Sequence, residues 1–97
     1  MPLHIYVEND QTRILVGSLA FDVLNILDPI FEQFRQKTSV RISEYDDARL
    51  HSGHLTLLAK LIKDYFGGVI RIKEILHLYD QLEKARVTNS CIYFEGE

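Results

Sequence analysis

The chain is 97 residues long and carries 14 acidic against 11 basic side chains, for a formal net charge of −3 and a pI near 5.8. That balance argues against nucleic-acid binding, which calls for a concentrated basic surface, and makes a protein with a basic face the better electrostatic match. With 46% hydrophobic and 26% charged residues, the composition is that of one ordinary globular domain, residues 1–97, with a single modest core.

The one cysteine, Cys91, excludes an internal disulfide and suits a reducing cytoplasm; the expectation is a small apolar filler in a strand. The N-terminus lacks the basic segment and apolar run of a signal peptide. No apolar stretch approaches the ~18 residues that a membrane span needs. A soluble, cytoplasmic protein is expected.

Leu3, Ile5 and Val7 alternate with His4, Tyr6 and Glu8, the period of a half-buried strand. Residues 8–11 read as a turn, and Arg13 to Val16, closed by Gly17, as a second strand, so that residues 3–16 form a β-hairpin. Ser18 is a candidate cap for a helix in which Leu19, Val23, Leu24, Ile26 and Leu27 share a face. Asp28-Pro29 interrupts it, predicting a kinked helix or two short ones over 19–27 and 29–37, with Ile30, Phe31 and Phe34 turned to the core. Val40 and Ile42 predict a short strand leading into the acidic run Glu44, Tyr45, Asp46, Asp47.

Ser52 is a good cap for a helix over 53–66, in which Leu55, Leu58, Leu61, Ile62 and Tyr65 recur at helical spacing; Leu57 and Phe66 widen the stripe. Gly67-Gly68 supplies the left-handed geometry that ends such a helix. A second amphipathic helix follows with Ile72, Ile75, Leu76, Tyr79, Leu82 and Ala85 on one face, ending near residues 87–89. The short connection predicts an antiparallel helical hairpin. Cys91 to Phe94 is the last strand, before the acidic end Glu95, Gly96, Glu97. The order strand, strand, helix, strand, helix, helix, strand implies an α+β fold, with about four strands in a small, mainly antiparallel sheet and a helical layer on one face.

Candidate chemistry is sparse. No phosphate loop, nucleophile elbow or standard metalloenzyme spacing is present, and no cofactor is called for. His51 and His54, with Asp46 and Asp47 upstream, form the one grouping from which a zinc or iron site, and hence a small metal-dependent hydrolase, could be built. The favoured account makes them surface groups flanking a helix start. His4 and His77 are read as partly exposed structural residues, and Tyr65, Tyr79 and Tyr93 as core rings whose hydroxyls reach the surface. Tyr45 is different: an aromatic ring between carboxylates makes a suitable anchor for a basic partner, the ring supplying contact area and the acids steering.

The run from Ile42 through Glu44, Tyr45, Asp46 and Asp47 to Leu50, the Leu-rich helix after Ser52, the helix ending near Ala85 and the terminal Tyr93-Phe94-Glu95-Gly96-Glu97 together resemble a group of small bacterial proteins. Several of that group are similar to immunity proteins of polymorphic toxin or contact-dependent inhibition systems. The resemblance spans residues 40–97 and leaves the N-terminal half unplaced. It implies a non-enzymatic cytoplasmic protein, monomer or homodimer, that neutralises a toxin domain with a basic surface by presenting Glu44, Tyr45, Asp46 and Asp47, together with Glu95 and Glu97. An adaptor or subunit of a protein complex is the plainer member of the same class.

Overall fold

The computed structural model describes residues 3–96. Its elements follow the expected order: β1 (Leu3–Glu8), β2 (Arg13–Leu19), α1 (Phe21–Thr38), β3 (Ala48–Leu50), α2 (Ser52–Tyr65), α3 (Lys73–Val87) and β4 (Cys91–Glu95). The four strands form one sheet in the order β2-β1-β4-β3, with every neighbouring pair antiparallel. β1 and β4, the first and last strands, lie at the centre.

Strand alternation sorts the side chains. Leu3, Ile5, Leu19, Ala48, Leu50, Ile92 and Phe94 turn to one face and join a single buried cluster with all three helices. α1 supplies Val23, Leu24, Leu27, Ile30, Phe31 and Phe34; α2 supplies Leu55, Leu58, Ala59 and Ile62; α3 supplies Ile75, Leu78, Leu82 and Ala85. α2 is the middle helix, packed on α1 to one side and α3 to the other. No helix among the described residues is long and apolar enough to cross a membrane.

Several expected boundaries move. Val40 and Ile42 form no strand: Ile42 is buried and Val40 packs on the core, but the third strand is Ala48–Leu50, on the far side of the acidic run. Apolar alternation at 40–42 reflects burial without strand pairing. Pro29 lies inside α1, which continues through it as one helix of 18 residues, because the buried stripe runs on unbroken from Leu27 to Ile30 and Phe31. Ser18 belongs to β2, and Ala20 is the residue before α1. Ser52 is the first helical residue of α2; the residue before it, His51, is extended and makes no side-chain cap bond.

The helix ends follow backbone chemistry. Gly67 and Gly68 have φ of +65° and +88°, and the Gly68 amide donates to the Lys63 carbonyl at 2.9 Å, closing α2 with the left-handed turn predicted for it. Asn89, at φ +57°, plays the same part after α3, where the Ser90 amide reaches the Ala85 carbonyl at 2.8 Å. In β2 the register passes from Gly17 opposite Ile5 to Leu15 opposite Tyr6. Val16 is left as a bulge, and its carbonyl accepts a 2.7 Å hydrogen bond from His77 Nε2 of α3. His77 is thus an exposed structural tie between helix and edge strand.

Candidate functional site: an aromatic, acidic groove

Between α1 and β3 the chain crosses one end of the molecule as the loop 39–47. Ser43 organises it: its hydroxyl donates to Asp46 Oδ2 at 2.6 Å and accepts from the Tyr45 amide at 3.2 Å. This small turn throws the Tyr45 ring outward, to 73% exposure. The Tyr45 hydroxyl is held above its ordinary pKa by a hydrogen bond to Glu44 and by that carboxylate's charge.

Two cavities lined by Tyr45 open between the loop and α1. One, of about 390 Å³, is bordered by Asp28, Glu32, Arg35, Arg41 and Asp46 over a floor of Phe31 and Ile42. The other, of about 190 Å³, lies among Phe21, Leu24, Asn25, Asp28 and Glu44. Phe21 is 56% exposed and forms the second aromatic wall. Among the described residues the groove holds four carboxylates against two guanidiniums. Arg35 is bound to Glu32 through two side-chain hydrogen bonds, which hold the Glu32 carboxyl below its usual range. Chemically the arrangement suits a cationic side chain lying on an aromatic ring with carboxylates at its rim.

The loop is locked to the end of β4. The Gly96 amide donates to Asp47 Oδ1 at 2.9 Å. A Cβ at Gly96 would lie 2.6 Å from the Asp46 carbonyl oxygen, 2.7 Å from the Asp46 nitrogen and 2.8 Å from the Glu44 carbonyl oxygen. Only glycine lets the two backbones approach this closely.

Of the residues expected to bind a partner, Glu44, Tyr45 and Asp46 line the groove. Asp47 and Glu95 turn instead to the uncovered face of the sheet: Asp47 hydrogen-bonds Tyr93, and Glu95 accepts from the Tyr6 hydroxyl at 3.2 Å. Glu97 lies outside the described residues. Sequence patterning missed the α1 wall. Asp28 reads as a cap before proline, and Phe21 falls between Leu19 and Val23, off the periodic stripe; a phenylalanine lying off that stripe was the available signal.

The residues considered for a metal diverge. His51 Nδ1 is 3.0 Å from Cys91 Sγ on the outer sheet face, whereas His54 packs edge-on against Phe34 with ring centroids 5.8 Å apart. Among the described residues no group of three or more His, Cys, Asp or Glu side chains is placed to hold a metal ion. Cys91 is half-buried beside His51 and fills no apolar space. Tyr65 is 52% exposed and lies against Phe66, outside the core expected for it, and Tyr93 stands on the face opposite the helices.

Comparison with protein-family models, with curated proteins and with solved structures found no match.

Proposed function

We propose that this chain is a non-enzymatic binding protein that captures a basic protein partner in the groove around Tyr45. In its most concrete form it is a cytoplasmic immunity protein that neutralises a toxin domain. The observation that carries the binding role is the posture of Tyr45, projecting between Glu44 and Asp46 and lining two adjoining cavities. An exposed tyrosine supplies contact area at little conformational cost, and the surrounding carboxylates raise the encounter rate with a basic face. Size, an acidic balance and the resemblance of residues 40–97 support the immunity form. Inhibition then consists of covering or distorting the toxin's active site. An adaptor would use the same groove for a partner without toxic activity.

Affinity capture from native lysate, with the product of the neighbouring gene included, tests this at low and moderate salt. The expected result is one stoichiometric basic partner whose binding weakens as salt rises. Tyr45→Ala should weaken it about 30-fold or more, the loss expected of an aromatic anchor worth roughly 2 kcal/mol. Undiminished binding by Tyr45→Ala and Asp28→Asn would reject the groove. Rescue of a co-expressing cell from the partner's activity separates an immunity protein from an adaptor.

A further inference from the structure

No described residue outside the sheet's own strands and their flanking turns covers the face turned away from the helices, and the register lays its side chains out in three rows. Arg13, Glu8 and Cys91 lie side by side on β2, β1 and β4; Leu15, Tyr6, Tyr93 and Arg49 cross all four strands; Ser18, His4 and Glu95 form the last row. His51 extends the first row, through its contact with Cys91, and Asp47 the last, through Tyr93 and the Gly96 amide.

The charges are segregated along the strands. Arg49 Nε reaches across Tyr93 to Glu8 Oε1 at 2.7 Å, and Arg13 Nε reaches Glu8 Oε2 at 2.7 Å, so two guanidiniums gather on one carboxylate. That end is basic. Both guanidiniums also lie over the Tyr93 ring, at 4.3 and 5.3 Å from its centroid. Beneath them run Tyr6 and Tyr93, with centroids 6.2 Å apart, and Leu15, at 56% exposure, continues the row. The opposite end carries Glu95 and Asp47 and is acidic.

We infer that this face pairs with the same face of a second copy. A two-fold axis lying in the interface and running across the strands at the tyrosine row brings the guanidinium end of each copy onto the partner's acidic end. Such an isologous contact needs a self-complementary patch, and a face whose guanidiniums lie towards one end, against Glu8 and over Tyr93, and whose carboxylates lie at the other meets that requirement. A nucleic acid does not suit it, because both guanidiniums are already held by Glu8 and the acidic end repels phosphate. The patch is small: strand spacing puts it near ~300 Å² in plan. A stable interface covers roughly 800 Å² per partner, so the dimer is weak and concentration-dependent. This inference stands apart from the Tyr45 groove, on a different face, and either can fail without the other.

Sedimentation equilibrium of the 97-residue chain from about 10 μM to 1 mM, at low and at moderate salt, reads the association directly. The expected result is a mass that climbs from 11.3 kDa towards twice that value with concentration, less steeply as salt rises. Arg49→Glu and Glu95→Lys should each abolish the climb alone and restore it when mixed, because one variant then has two acidic ends and the other an unopposed basic one. Leu15→Glu, at an exposed position where folding is insensitive, should abolish it without rescue. A monomer at 1 mM in low salt overturns the inference, as does a dimer indifferent to all three substitutions. If the wild-type is monomeric and Tyr93 resonances shift only when the captured basic protein is added, the face belongs to that partner and the inference again fails.

Discussion

Glu8 accepts hydrogen bonds from Arg49 and Arg13 together, and its side chain is only 16% exposed. The Arg49 bond is the largest cause of its lowered pKa, partial burial opposes it, and Arg13 adds to the lowering. A carboxyl with a depressed folded-state pKa contributes stability that is complete above the unfolded value, near 4.5, and is lost as pH falls through the folded value. Glu8→Gln should therefore cost about 1 kcal/mol at pH 7, the exposure of both arginines keeping it at the low end for charged hydrogen bonds. The gap to wild-type should narrow as pH falls from the unfolded value, near 4.5, through the lower folded one; urea titrations at pH 7 and pH 3 check it. A constant gap would mean that packing, not charge, explains the loss. Gly96 makes the opposite kind of prediction, steric and independent of pH. Gly96→Ala drives a methyl into the Asp46 and Glu44 backbones and should cost about 1–3 kcal/mol as the loop is displaced. Amide spectra should shift through residues 43–47 while α2 and α3 stay in place.

At the scale of elements, α1 shows where local chemistry yields to packing. Pro29 is exposed, removes the amide that would bond to the Asn25 carbonyl, and still sits mid-helix, since Leu27, Ile30, Phe31 and Phe34 gain more from burial than one broken helical turn costs. Pro29→Ala should raise stability by about 1–2 kcal/mol, the interior-proline penalty less the entropy that proline removes from the unfolded chain. Thermal melts should show a higher midpoint; a lower one would mean the proline positions Asp28 or the groove wall. The same competition explains what could be read from residues alone. Strand alternation in 3–7, helical periodicity in 55–62 and 72–85, and the glycines at 67–68 are local signals, and each element formed where they lie. Val40 and Ile42 were misread as a strand because burial and pairing leave the same apolar mark. The three residues of β3 are too few to alternate legibly. The groove was half legible: Glu44, Tyr45 and Asp46 stand out as an aromatic ring among acids, whereas its α1 wall arises only when loop and helix meet.

Across the whole molecule every helix and strand contributes to one apolar cluster, and no described element has a core of its own. α2 is the common neighbour, touching α1, α3, β3 and β4, and its Leu58 is fully buried. Leu58→Ala opens a cavity within that shared cluster, and the cost should fall in the range of about 2–5 kcal/mol. A domain of this size holds roughly 5–10 kcal/mol in total, so the variant keeps only part of its stability at 25 °C and should lose it in a single transition. Urea unfolding followed by far-ultraviolet circular dichroism and by tyrosine fluorescence checks both points. The two probes weigh the layers differently: the first reports the three helices, the second Tyr6 and Tyr93 on the sheet and Tyr45 in the loop together with Tyr65 and Tyr79 on α2 and α3. Coincident curves at a lower midpoint are expected, because neither layer can bury its apolar face without the other. Separated curves would show that the β1, β2 and β4 sheet persists after the helices melt. The groove would then be lost before the outer sheet face, since the Tyr45 loop needs its α1 wall even though it is locked to the end of β4.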